Sequence, residues 1–173
     1  VPPVSLITGM MASGKSTVAQ ALAERLPRSV HVRGDLFRRM IVSGRVDMTP
    51  DAGEEAWAQL RLRYRLAAQT ALGYHASGFT PVVQDVILGP VLGDVTALYA
   101  AVPLRLVVLC PSPDVVAARE AGRHKRGYGA FTPGDLDRAL REETPRLGLW
   151  LDSSVLTVAG TVEAILRHFG SGE

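Results

Sequence analysis

The chain has 173 residues, 47% of them hydrophobic, with 19 lysines and arginines against 17 acids. That length and apolar content can bury a proper core in one domain, and a formal charge of +2 excludes the broad basic surface that duplex nucleic acid demands. The single Cys110 excludes internal disulfides and cysteine-built metal clusters, and four histidines without paired spacing argue against zinc.

No apolar run reaches the roughly 18 residues of a membrane span, and Val1 to Ile7, interrupted by Pro2 and Pro3, does not read as a secretion signal. The expectation is a soluble, cytoplasmic protein with neither membrane nor nucleic acid as partner. Its oligomeric state is left open.

A first strand, Val4 to Thr8, runs into Gly9-Met10-Met11-Ala12-Ser13-Gly14-Lys15-Ser16-Thr17, followed by an amphipathic segment to Leu26. This fits G-x-x-x-x-G-K-[ST] in its confirming context of strand, glycine loop and helix. Gly9 and Gly14 let the backbone curl so that the N–H groups of Met11, Ala12 and Ser13 and the helix start point at phosphate. Lys15 adds an ammonium for the β- and γ-phosphates, Ser16 a hydroxyl ligand for Mg²⁺, and Thr17 faces the nucleotide. Lys15 and Lys125 are the only lysines in a chain that otherwise uses arginine. ATP and Mg²⁺ are therefore the expected cofactors.

Ser29 to Arg33 reads as a second strand ending at Gly34-Asp35, and Leu36 to Val42 as a helix. Asp35 thus falls at the carboxyl edge of an open parallel sheet, where ligands bind. It either caps the helix or takes the proton of a substrate hydroxyl, and one residue can do both. Of Arg38 and Arg39, one is expected to face the site; Arg38 is the candidate for substrate.

Ser43 to Asp51, polar and broken by Gly44 and Pro50, is the expected substrate loop. Thr49-Pro50-Asp51 looks like a cap, a first-turn proline and an early acid opening a helix to about Ser77. Trp57, Leu60, Tyr64, Ala67, Ala71 and Tyr74 recur at helical spacing as its sheet-facing row, with Arg61 and Arg65 on another face. The row is core, or else Trp57 and Tyr64 touch substrate.

Pro81 to Leu88 is a nearly continuous apolar run, as expected of a strand buried on both faces, interrupted by Gln84 and Asp85. A carboxylate there costs several kcal/mol, on the order of a buried ion's desolvation, unless compensated. Mg²⁺, a hydrogen bond to substrate, or a structural partner would each serve. A short helix over Val91 to Ala101 and a fourth strand, Leu104 to Cys110, follow, with Cys110 a core thiol.

Ser112-Pro113-Asp114 opens a helix leading to Arg119, Arg123 and Arg126, which share one face if the helix continues. With Gly127, Gly129 and Phe131 beyond, this is either a lid over about 119–132 that closes on the transferring phosphate or a solvated charge run. Arg119 is assigned to the nucleotide, and Arg123 and Arg126 to catalysis. Thr132-Pro133-Gly134-Asp135 caps another helix, Leu149 to Leu151 is a fifth strand, and Asp152 to Thr157 is the loop that would pass near adenine. Val158, Val162, Ile165 and Phe169 give the last helix its apolar face. Five strands alternating with helices, without repeats, make one α/β domain over 1–173, its substrate loop and helix spanning about 35–77.

With the glycine loop, Asp35, the acid of strand three and the arginine segment in place, the whole chain resembles the small P-loop kinases. Within them it is most similar to the chloramphenicol phosphotransferase-like group, with gluconate kinases and zeta-toxin kinases as broader relatives. The resemblance implies a three-layer P-loop kinase fold with a five-stranded parallel sheet and an arginine-bearing lid. It also implies that Asp35 activates the acceptor hydroxyl, and that Val82 to Gly89, VVQDVILG, is the acid-bearing strand with its Leu-Gly turn. The glycine triplet of shikimate kinases after strand three, the Asp-Gly and Pro-Arg of nucleoside monophosphate kinases, and the Asn-Lys-x-Asp of GTPases are absent. The expected function is transfer of phosphate from ATP to a small-molecule hydroxyl. The alternatives are a nucleotide or polynucleotide kinase, and a slow ATPase switch acting through a protein.

Overall fold

Strand-forming runs alternate with helices along the whole chain, and the strands assemble in parallel. The structure, a computed structural model, describes residues 1–122 and 130–170. Strands β1 (Val4–Thr8), β2 (Ser29–Arg33), β3 (Thr80–Gln84), β4 (Leu104–Leu109) and β5 (Leu149–Leu151) form one sheet in the order β2-β3-β1-β4-β5. Every pairing is parallel. Helices α1 (Lys15–Arg25), α2 (Asp35–Arg39), α3 (Glu54–Ala76), α4 (Val91–Ala97), α5 (Pro113–Ala121), α6 (Pro133–Arg138) and α7 (Val158–Gly170) connect them.

The central strands are apolar at successive positions because both faces of the sheet are covered. Ile7, Val82 and Val107 join Val18, Leu22, Val162 and Ile165 in one core, beneath α1 and α7. Their neighbours Leu6, Val83 and Leu106 join Tyr64, Ala67, Ala71 and Val95 in the other. The expected three layers with a five-stranded parallel sheet are thus borne out.

Several boundaries differ from the sequence reading. β3 ends at Gln84 rather than Leu88, since β1 stops at Thr8 and β2 at Arg33 and no neighbour remains to pair. The Thr8 hydroxyl takes over, donating to the Ile87 carbonyl at 3.0 Å and accepting the Ile87 N–H at 2.9 Å. α3 begins at Glu54, not after Thr49. The Thr49 hydroxyl bonds Asp51 at 3.0 Å, Ala52 N–H closes a separate turn on the Thr49 carbonyl, and Gly53 becomes the helix cap. α2 and α4 are shorter than expected, and a π-helical turn over Ala139–Glu143, unanticipated, follows α6. The Thr132 capping box on α6 is present as read.

Within the α3 row, Tyr64, Ala67 and Ala71 are buried, but Trp57 and Tyr74 at its ends are exposed, as is Val158 at the start of α7. Cys110 is buried, as expected, and burial, offset in part by Arg141, pushes its thiol above the usual range. Among the described residues no helix is long and apolar enough to cross a membrane.

Candidate active site

The carboxyl ends of β1, β2 and β3 open into one cavity of about 1380 Å³. Its phosphate side is the loop between β1 and α1. Gly9 sits at φ 153° with a Leu109 carbonyl and the Ser13 hydroxyl where a Cβ would go, so only glycine fits. Ala12 at φ 60° and Gly14 at φ 91° turn the backbone into left-handed conformations, which aim successive N–H groups inward. α1 then starts at Lys15, so its free amides face the same space.

Lys15 is buried, its Nζ donating to the Met10 carbonyl at 2.9 Å. Arg119 braces the loop from α5 by donating to the Ser13 carbonyl at 3.3 Å. Met11, Ala12, Gly14, Lys15, Ser16, Thr17 and Arg119 all line the cavity. Gly9 and Ser13 shape the loop from behind. Arg123 and Arg126 lie outside the described residues, as do all of 123–129 in the segment assigned to the lid.

Gln84, at the end of β3, donates its Nε2 to the Ser16 Oγ at 3.1 Å. Among the described residues no group of three or more His, Cys, Asp or Glu side chains could hold a metal. The Ser16 hydroxyl, held at the cavity wall by Gln84, keeps lone-pair capacity beyond that bond. That fits an ion whose remaining ligands are phosphate oxygens and water.

Of the three compensators open to Asp85, the structure shows the structural partner. Its carboxylate, 3% exposed, takes the Arg63 guanidinium in a two-toothed pair, Nε to Oδ2 at 2.9 Å and Nη2 to Oδ1. Oδ1 also accepts the Val86 N–H at 2.8 Å. Both oxygens are thus engaged by the chain itself, and the strand residue that reaches Ser16 is Gln84. The Asp85 carboxylate lies against the α-carbon of Gly34, where a Cβ would collide with Oδ2. Burial works against the Arg63 charge, and Asp85 outweighs it, holding the guanidinium above its usual pKa.

Asp35 is the first residue of α2, and Gly34, not Asp35, occupies the cap position, with no side-chain capping bond. Its carboxylate instead gathers arginines. Arg38 Nε lies 3.1 Å from Oδ1, Arg39 Nε 2.6 Å from Oδ2, and Arg63 Nη1 3.8 Å from Oδ1. Burial, the largest single influence, pushes the carboxyl up; the Arg38 hydrogen bond and the charges of Arg38, Arg63 and Arg39 together bring it below the usual range. Arg38 Nη1 also holds Asp47 of the 43–51 loop at 2.8 Å, so this loop is tied to the same cluster. Asp35, Arg38, Asp47, Arg63 and Asp85 line the cavity, as does Trp57.

Arg63 and Asp47 escaped the sequence reading. Arg63 lies three residues after Leu60 and four before Ala67, on the apolar phase of α3. A charged residue at that phase, beside an uncompensated acid in an apolar strand, was the available signal.

A parallel sheet of this order, with a glycine loop between β1 and α1, defines a P-loop fold. Residues 4–142 match the family described as AAA domain, and the chain belongs to that family. A search of curated proteins finds no match.

Solved structures with this fold include a sugar kinase from Janibacter sp. HTCC2649, at 18% identity and TM-score 0.71, covering 99% of this chain and 96% of the other. A gluconokinase from Sinorhizobium meliloti 1021 is 24% identical with TM-score 0.65, covering 98% and 93%. The APS kinase CysC of Mycobacterium tuberculosis, in complex with AMPPNP and APS, is 16% identical with TM-score 0.71, covering 98% and 99%. The fold is that of the small P-loop kinases, as the sequence implies.

Proposed function

We propose that this chain is a kinase that moves the γ-phosphate of ATP to the hydroxyl of a small molecule. The observation that carries the reading is that a complete phosphate loop and a carboxylate at the end of β2, Asp35, line one cavity. The AMPPNP bound in the Mycobacterium tuberculosis neighbour supports ATP as donor.

In this reading the loop amides and Lys15 hold the β- and γ-phosphates, and Arg119 keeps the loop in shape. Ser16, steadied by Gln84, would hold Mg²⁺, which when bound neutralises charge on the phosphates. Asp35 accepts the proton of the acceptor hydroxyl as its oxygen bonds to the γ-phosphorus. The bond from that phosphorus to the bridging oxygen breaks, and its electron pair leaves with ADP. Arg38 and Arg39 keep Asp35 ionised and therefore ready to accept a proton. Arg63, fixed by Asp85, acts as a positioning residue behind Asp35.

The test is ADP release from ATP and Mg²⁺ across a panel of alcohols, sugars, sugar acids, nucleosides and nucleotides. Asp35→Asn is expected to bind ATP normally and to lose about 10²- to 10⁴-fold in acceptor-dependent turnover. Unchanged turnover in that variant removes Asp35 as the base. ADP release that needs a protein instead of an acceptor would replace the kinase with an ATPase switch.

A further inference from the structure

The carboxylate assigned as the base is already covered in the empty cavity. Asp35 Oδ1 accepts the Arg38 Nε hydrogen bond at 3.1 Å and has Arg63 Nη1 at 3.8 Å, while Oδ2 has Arg39 Nε at 2.6 Å. A hydroxyl that gives up its proton has to come to one of these two oxygens, and each has a guanidinium beside it. The charges that keep Asp35 ionised therefore also oppose the proton it must take. Productive transfer calls for one arginine to step aside.

The three are not equally held. Arg63 is 13% exposed and locked in its two-toothed pair with Asp85. Arg38, 33% exposed, has Asp47 as a second anchor at 2.8 Å. Arg39 is 52% exposed, and among the described residues Asp35 is its one ion-pair partner, a contact that adds charge without a hydrogen bond. It is also the last residue of α2, and Met40 beyond it is exposed, so its side chain can turn outward without uncovering the core. Asp35 and Arg39 both line the cavity, and the oxygen that Arg39 covers, Oδ2, has no other arginine on it.

We infer that Arg39 sets the preference for an acceptor over water: it rests on Asp35 Oδ2 until a bound acceptor displaces it, and so keeps the base from activating water at the γ-phosphate. This rests on the kinase reading and makes Arg39 a residue that acts through Asp35. The step held back is hydrolysis, in which a water oxygen bonds to the γ-phosphorus and its proton passes to Asp35. The bond from that phosphorus to the bridging oxygen breaks, and its electron pair leaves with ADP. Water has only its own hydrogen bonds with which to move a guanidinium, whereas an acceptor is held by the rest of its body and can put part of that binding into the displacement. The displacement is within reach, because a half-exposed ion pair shifts an equilibrium by at most about fivefold.

ADP release from ATP and Mg²⁺ with no acceptor present tests it on the full chain. Arg39→Gln is expected to raise that release about three- to fivefold. Arg39→Lys, which keeps the charge, is expected to stay close to wild type. Asp35→Asn combined with Arg39→Gln should abolish the rise, since the gain runs through Asp35. Release in Arg39→Gln at the wild-type level overturns the inference, and so does a rise that Arg39→Lys shares or that persists without the Asp35 carboxylate.

The kinase reading is scored separately, by phosphate transfer across the panel of alcohols, sugars and nucleosides. Transfer with hydrolysis unmoved in Arg39→Gln sustains the kinase and defeats the role of Arg39. A rise that depends on Asp35, with no transfer to any alcohol, sustains the hold of Arg39 on Asp35 and defeats the kinase.

Discussion

On one side of the cavity the nine consecutive residues Gly9 to Thr17 form one loop and helix start, with Met11, Ala12, Gly14, Lys15, Ser16 and Thr17 in the wall. On the other, Asp35, Asp47, Arg63 and Asp85 arrive from α2, a loop, α3 and the end of β3, and ion pairs between their side chains and Arg38 join them. The first surface is dictated by local conformation, the second by charge balance across distant segments. A change in the first should therefore alter function with modest effect on stability, whereas a change in the second should alter both.

The largest expected effect separates the two at once. Lys15→Met should reduce phosphate transfer on the order of 10³-fold, as loss of a positioned cationic donor to the reacting phosphate does. Its melting temperature should change less than that of Asp85→Ala. Steady-state ADP release and a thermal melt on the same preparation check both halves. Turnover preserved in Lys15→Met would leave the glycine loop without its assigned role.

Next comes the pair itself. Asp85→Ala leaves a largely buried guanidinium without its counter-charge, which costs about 3–5 kcal/mol. In a domain of this size that lowers the melting temperature by about 6–20 °C. The double variant Arg63→Met, Asp85→Leu removes both charges together and should recover much of that stability, because each buried ion's desolvation is removed with its partner. It should not recover turnover, since Asp35 still lacks the guanidinium behind it. Recovery of both would make the pair a packing device with no bearing on Asp35.

A smaller loss is expected for Gly34→Ala. The backbone there is ordinary helical conformation, φ −59°, so strain plays no part. The obstacle is the Asp85 carboxylate in the space of the new methyl group. About 1–3 kcal/mol of destabilisation is expected, the usual cost of overpacking. Urea midpoints of Gly34→Ala in the wild-type and Asp85→Ala backgrounds should be non-additive, because the second substitution removes the carboxylate that the first one meets.

This division also explains how much was legible in the residues. The strands, the α/β class and the whole phosphate loop follow from apolar runs and one contiguous motif, and β2 and β5 fall on their expected bounds. Asp35 was legible because a strand end fixes its place. The partner of Asp85 was not, because it lies 22 positions along the chain from Arg63 and no spacing rule spans a helix and a turn. The early start read for α3 failed for a related reason. Thr49-Pro50-Asp51 has a cap's composition, but the threonine hydroxyl donates to the Asp51 carboxylate, and the helix starts later, behind Gly53.

The smallest effect bears on the arginines around Asp35. The carboxyl lies below its usual pKa in the folded chain, so the stability this gives is present above the ordinary carboxylate value and is lost as pH falls through the folded value. Arg39 supplies part of that shift through a contact 2.6 Å long, but its side chain is 52% exposed and solvent screens it. Arg39→Gln should therefore move the acid limb of turnover upward by less than about one pH unit, while Arg39→Lys leaves it nearly in place. The same substitution at Arg38 should move the limb further, since Arg38 adds a hydrogen bond to its charge. Turnover against pH from 4 to 8 in the three variants orders the contributions. If none moves the limb, the group titrating there is not Asp35, and the base must be sought elsewhere in the cavity.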